Sequence, residues 1–319
     1  MEPEKIVVLG TGGTIAGSAS QAYDSSQYVA AQHGIDELLG GLPSTELPPV
    51  QILSEQVAQI DSKDMEAGVW LHLWQRCRHW MAQPGVRGLV ITHGTDTLEE
   101  TAYFLHATLQ PTLPVVLTCA MRPANALQAD GPQNLLDALV LASQVQAGAV
   151  MVVCAGTVHG AREVQKVHAW RLDAFSSGDE GPLAHVVNGG LRQNRDWPQP
   201  GSMGSATVLK ALSQLSGWPR VEIVTSHAGA SGALVDALLA APGPNPVRGL
   251  VVAGTGGGTV HQSLEAALLR AQASGVRVVR SSRSCAGRVR ARADQALPLA
   301  EGLSPAKARI ALMLDLLSG

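Results

Sequence analysis

Gly88-Leu89-Val90-Ile91-Thr92 is an unbroken apolar run that ends in the polar cluster His93-Gly94-Thr95-Asp96. A strand with no polar alternation is what burial on both faces requires, and such strands belong to parallel sheets covered by helices. At Thr97 a helix is expected to open, with the Thr-x-x-Glu spacing to Glu100 read as a capping box. The same rhythm recurs along the chain. Ile6 to Leu9, Val50 to Leu53, Val115 to Ala120 and Ala149 to Ala155 read as further strands. Met65 to Gln83 reads as a helix because Trp70, Leu73, Trp74, Cys77 and Met81 recur at spacings of three and four, and its tryptophans are read as core. Another helix is expected from about Pro132 to Val145. Strands alternating with helices of this length predict an α/β fold with a mainly parallel sheet.

The alternation lapses after Val187, where Asn188-Gly189-Gly190 and then Asp196 to Ser205 are rich in Pro, Gly and polar residues. It resumes with expected strands at Val221 to Thr225, Gly249 to Ala253 and Val276 to Arg280. Helices are expected around Ser231 to Ala241, from Gln262 to Ala273 and after Ser304-Pro305. The division read from this pattern is a larger N-terminal α/β domain over residues 1–190, carrying most of the candidate catalytic residues. A linker over 191–219 and a smaller C-terminal α/β domain over 220–319 follow.

The chain has 319 residues, 45% hydrophobic and 15% charged, with a formal net charge of −3. Such a balance excludes a polybasic nucleic-acid binder and a low-complexity disordered chain. No stretch approaches the ~20 apolar residues of a membrane span, and Met-Glu-Pro-Glu-Lys leads straight into an apolar run, so a cytoplasmic location is expected. Cys77, Cys119, Cys154 and Cys285 form no CxxC pair and are read as buried, reduced thiols. The histidines form no HExxH array, and the chemistry proposed below needs neither metal nor cofactor. Two scarcities matter for catalysis: there are three tyrosines (Tyr23, Tyr28, Tyr103) and five lysines beside eighteen arginines.

In open α/β sheets ligands bind at the carboxyl ends of strands, and two such ends here are rich in hydroxyls. The first is Gly10-Thr11-Gly12-Gly13-Thr14-Ile15-Ala16-Gly17. It is not a dinucleotide fingerprint, since Ile15 stands where the third glycine should and no acidic residue ends a second strand about 20 residues on. A glycine turn accounts for the glycines but not for Thr11 and Thr14. The second is Thr92 to Thr97, where helix capping accounts for Thr97 but not for Thr95 beside Asp96.

Together, Thr11 to Gly17 and Ile91-Thr92-His93-Gly94-Thr95-Asp96-Thr97-Leu98-Glu99-Glu100-Thr101-Ala102 resemble the bacterial-type L-asparaginase and glutaminase-asparaginase family. Supporting matches lie at Asp64-Met65, Ala120 to Pro123, Val279 to Arg283 and Pro305 to Arg309. The resemblance implies a homotetramer of close dimers with active sites between neighbouring subunits. It also implies hydrolysis of the side-chain amide of asparagine, and sometimes glutamine, through a threonine acyl-enzyme and without a cofactor. By the same resemblance Thr14 is the nucleophile and Tyr28 its partner on a lid. Tyr103 is read as core, and the Ser26-Gln27-Tyr28 match favours Tyr28 over Tyr23. Thr95, Asp96 and Lys166 form the second catalytic set, with Asp96 also the anchor for the substrate ammonium and Ser62 a donor to its α-carboxylate. Backbone amides of the glycine turn would hold the oxyanion.

Three positions depart from the family pattern. Lys63 follows Ser62 where a glutamine is common, and is expected to pair with the substrate carboxylate, the alternative being a surface residue. Thr259 stands near Gly256-Gly257-Gly258, where the family places an asparagine, and is either a contributor to a neighbouring site or a helix cap with Gln262. Asp294 is a weak substitute for the glutamate that closes the neighbour's site. The readings left open are an asparaginase, a glutaminase-asparaginase, and a non-catalytic amino-acid binding protein that uses Asp96 and Ser62 as a clamp.

Overall fold

The computed structural model describes residues 3–23, 27–201, 206–213, 217–240, 243–291 and 296–318. The chain divides into two compact units between Ser202 and Met203. The first contains β1 (Lys5–Gly12), β2 (Ser18–Ala19), β3 (Tyr28–Val29), α1 (Ile35–Gly40), β4 (Gln51–Ile60), α2 (Ala67–Met81), β5 (Val86–Thr92) and α3 (Leu98–Thr108). It continues through β6 (Val115–Thr118), α4 (Gly131–Gln144), β7 (Val150–Cys154), β8 (Thr157–Gly160), β9 (Gln165–Lys166), β10 (Phe175–Ser176), β11 (Ala184–Val187) and β12 (Gly190–Gln193).

Eight of these strands form one sheet in the order β12-β11-β8-β7-β6-β5-β1-β4. The five from β7 to β4 run parallel, and β8, β11 and β12 extend the sheet antiparallel. Four of the parallel strands, β1, β5, β6 and β7, contain the continuous apolar runs of the sequence, with Ile6 to Leu9, Leu89 to Ile91 and Val115 to Leu117 fully buried, while the edge strand β4 mixes polar and apolar residues. One face packs Ile6, Val8, Val90, Val116, Met151 and Val153 against Leu135, Ala138, Leu139 and Ala142 of α4. Helix α2 buries Trp70, Leu73, Trp74 and Cys77, the stripe its spacing predicts, and Trp70 stacks on Phe104 of α3 at 5.4 Å between ring centroids. Tyr103 is core, at 3% exposure.

The second unit holds α5 (Ala206–Ser213), β13 (Arg220–Thr225), α6 (Ala233–Ala240), β14 (Val247–Gly254), α7 (Gln262–Ala273), β15 (Arg277–Ser282) and α8 (Pro305–Ser318). Its three strands pair in parallel in the order β13-β14-β15, around a core of Leu250, Val252, Leu264, Leu268 and Val278. Among the described residues no helix is long and apolar enough to cross a membrane.

Several local expectations are corrected. Residues 191–219 are not wholly a connection, because β12 joins the large sheet through Gln193 and Ala206–Ser213 is helical. Thr97 stands at the N-cap of α3 but its side-chain oxygen accepts from no N–H of the first turn; the hydroxyl is directed at Ser62 O instead, to which it donates at 2.8 Å. Thr259 is not the cap of α7 either. His261 is, accepting from Ser263 N, while the Thr259 hydroxyl bonds Thr255 within a tight turn. Cys77, Cys119 and Cys154 are buried, but Cys285 is exposed. Asp294 lies outside the described residues.

Candidate active site

The carboxyl ends of β4, β1 and β5, three neighbours in the sheet, converge on one place. After β1, Gly13 turns with φ +81°, a left-handed conformation that favours glycine. A methyl group there would lie 2.3 Å from Gly94 Cα, so only glycine lets the turn after β1 touch the turn after β5. Gly94 faces the same restriction on its other side, where a methyl group would meet Ser62 Oγ, just past the end of β4. Thr11 ties the strands further by donating to Thr92 O at 2.8 Å.

Each of these abutting turns carries a threonine hydroxyl with a partner from elsewhere in the chain, Tyr28 from β3 and Lys166 from β9. Thr14 is buried in a single 3-10 turn, and its Oγ1 lies 2.8 Å from Tyr28 Oη. Tyr28 reaches it because β2 and β3 form a short antiparallel hairpin that folds the chain back over the glycine turn. Asn125 clasps the first strand of that hairpin, accepting from Ala19 N and donating to Ala19 O, both at 2.7 Å. Gln59 holds the chain beyond β3 by donating to Ala31 O and His33 O. Tyr23, the alternative phenol, is 78% exposed.

In the second pair Lys166 Nζ donates to Thr95 Oγ1 at 2.9 Å and to Asp96 Oδ1 at 2.6 Å. Lys166 stands on β9, paired antiparallel with β10, so Phe175 lies across from it. Its backbone N–H donates to Glu99 Oε2 at 2.6 Å. Ser62 is buried, and its Oγ accepts from Asp96 N at 3.2 Å while its own hydroxyl proton remains to be given. The structure thus brings together Thr14, Tyr28, Thr95, Asp96, Lys166 and Ser62. Lys63 is not drawn in: its ammonium pairs with Asp64, which holds it above the usual lysine range, and its side chain is 61% exposed.

Behind the cluster lies His93, fully buried, with burial lowering its pKa to about 4. Its Nδ1 is 2.7 Å from Gly94 O and its Nε2 is 2.9 Å from Thr101 Oγ1, which accepts from Trp70 Nε1 at 2.8 Å. Glu99 and His93 were not singled out in the sequence. The one trace of Glu99 is a pair of acids in the first turn of a helix, which reads equally well as dipole compensation. Among the described residues no group of three or more His, Cys, Asp or Glu side chains could hold a metal ion.

Known proteins resemble this chain over nearly its whole length. Residues 5–199 match the family described as Asparaginase, N-terminal, and residues 220–319 the Glutaminase/Asparaginase C-terminal domain. L-asparaginase 2 of Escherichia coli strain K12 is 37% identical over 318 residues, covering 98% of this chain and 88% of its own. The glutaminase-asparaginase of Pseudomonas fluorescens biotype A is 36% identical over 320 residues, covering 98% and 86%. The crystal structure of the probable cytoplasmic L-asparaginase from Campylobacter jejuni superposes with a TM-score of 0.88 at 38% identity, covering 99% of this chain and 96% of that one. With both domains matched in order and a partnered threonine hydroxyl at each of two neighbouring strand ends, the chain belongs to the asparaginase family of amidohydrolases.

Proposed function

We propose that the protein hydrolyses the side-chain amide of L-asparagine to L-aspartate and ammonia through an acyl-enzyme on Thr14. The observation that carries this reading is the pairing of two threonine hydroxyls on abutting turns, Thr14 with Tyr28 and Thr95 with Lys166. Binding an amino acid needs neither pair, whereas cleaving an amide needs a nucleophile with a proton acceptor and a second group to manage water.

In the first step Thr14 Oγ1 attacks the amide carbon and passes its proton to Tyr28 Oη, which relays a proton to the departing nitrogen. The carbon–nitrogen bond breaks and ammonia leaves an aspartyl ester on Thr14. In the second step water attacks that ester and its proton returns to Thr14 through Tyr28. Thr95, whose oxygen accepts from Lys166, orients the water, and the ammonium stabilises the charge that develops. Asp96 faces the substrate ammonium from beside Lys166, and the free proton of Ser62 is available to the α-carboxylate.

The name of the Pseudomonas fluorescens relative favours a second reading, in which glutamine is also a good substrate. One extra methylene is commonly worth only ~1–3 kcal/mol of discrimination. Ammonia release by the purified protein from asparagine and from glutamine, with Thr14→Ala and Thr95→Ala controls, tests both. Turnover of asparagine lost in both variants is expected, and undetectable turnover in the parent with tight aspartate binding would overturn the enzyme reading. The expected homotetramer and cytoplasmic location belong to the same proposal, and sedimentation and cell fractionation test them.

A further inference from the structure

The buried chain behind the cluster has only one consistent proton arrangement. Gly94 O can only accept, so His93 Nδ1 carries a proton at 2.7 Å from it. In a neutral ring Nε2 is then the acceptor, and the Thr101 hydroxyl donates to it at 2.9 Å. Trp70 Nε1 can only donate, and its bond to Thr101 Oγ1 occupies a lone pair and leaves the hydroxyl proton for the ring. All three side chains are almost fully excluded from solvent, so water does not compete for these bonds.

The receiving end of this chain is the peptide that carries Thr95. Gly94 must be glycine because Ser62 and Gly13 press against it, and glycine is the residue least able to hold its own peptide plane. With every described peptide bond trans, a carbonyl held on His93 turns the Thr95 N–H the opposite way and fixes where the Thr95 side chain leaves the backbone. We propose that His93, held as the Nδ1-protonated tautomer by Thr101 and Trp70, is a positioning residue that locks the Gly94–Thr95 peptide and so aims the Thr95 hydroxyl at Lys166. This inference rests on the amidase reading above, but its tautomer half does not.

The test uses the full-length protein with 15N-labelled histidine, the His93 signals being assigned by their loss in His93→Gln. Between about pH 6 and pH 8, Nδ1 is expected at the protonated and Nε2 at the unprotonated position. The reverse tautomer, or a ring protonated on both nitrogens, overturns the proposal. Thr101→Val removes the donor to Nε2 while keeping the side chain's shape. It is expected to lower kcat on asparagine on the order of tenfold with KM within about twofold, as small misplacements of reacting groups do. Thr101→Ser is expected to restore kcat to within about twofold. A Thr101→Val kcat equal to the parent's, or a loss that Thr101→Ser does not restore, overturns it. A parent protein with the expected tautomer and no amidase activity would refute the proposed function instead.

Discussion

Tyr28→Phe removes one oxygen, 2.8 Å from Thr14 Oγ1, and leaves the ring that packs beside Gly17. The two consequences of that deletion differ in size. For the fold, a hydrogen bond involving a side chain that is 38% exposed is worth about 1 kcal/mol, a shift of roughly 2–4 °C in melting temperature for a unit of this size. For the reaction, losing the group that takes the nucleophile's proton removes a contribution of ~10²–10⁴ in rate, or about 3–5 kcal/mol of barrier. The kinetic loss therefore exceeds the stability loss several-fold. Coupled ammonia assays at saturating asparagine should show kcat down by at least about a hundredfold while thermal unfolding barely moves. A kcat within about threefold of the parent would refute the argument, because Thr14 would then be activated by some other group.

Three further outcomes follow from the geometry. Gly13→Ala places a methyl against Gly94 backbone at a left-handed φ, so a cost of about 2–5 kcal/mol and loss of activity are expected by thermal unfolding and ammonia release, and a folded, fully active variant would contradict the abutting turns. Lys63→Gln should leave KM and kcat for asparagine within about twofold, since an exposed lysine–aspartate pair is worth ~0–1 kcal/mol, and a several-fold rise in KM would restore Lys63 to the substrate carboxylate. In a native thiol titration Cys285 should react, while Cys77, Cys119 and Cys154 react only after unfolding. Burial raises the Cys77 thiol, and the contact with Cys154 together with burial raises Cys119, so rapid reaction of either would contradict the packing.

In the parallel core of the large unit the edge strand β4 holds a continuous apolar run only near its start and goes on through Ser54, Glu55 and Gln56. Strands β1, β5, β6 and β7 each contain such a run and were legible for that reason, and α2 because its stripe repeats at helical spacing. Strands β8 to β12 were not, since segments of two to four residues of mixed polarity carry no period to read. The same contrast runs through the site. Thr11, Thr14, Thr95 and Asp96 stand at strand ends, where position marks them as candidates, and the resemblance then singled out Thr14, Thr95 and Asp96. Lys166 is 71 residues from Thr95 and was reached only through resemblance, because no local pattern says which distant hairpin will fold over a strand end. Side-chain direction was the least legible feature of all. Thr97 and Thr259 both look like caps, yet each hydroxyl is directed at a backbone carbonyl, of Ser62 and of Thr255, rather than at the N–H groups of a helix end, and Lys63 turns to the aspartate next to it. His93 passes as one more letter of a motif until its ring is seen between a carbonyl and a buried hydroxyl.

The central claim is that the substrate's acyl group rests on Thr14. It is tested most directly by mixing the protein with asparagine, quenching in acid within the first turnover and mapping the digested peptides by mass. The account predicts one aspartyl ester, on the peptide containing Thr14, formed with the first burst of ammonia and absent from Thr14→Ala. An ester on Thr95 instead, or a full burst of ammonia with no ester on any peptide, would contradict it.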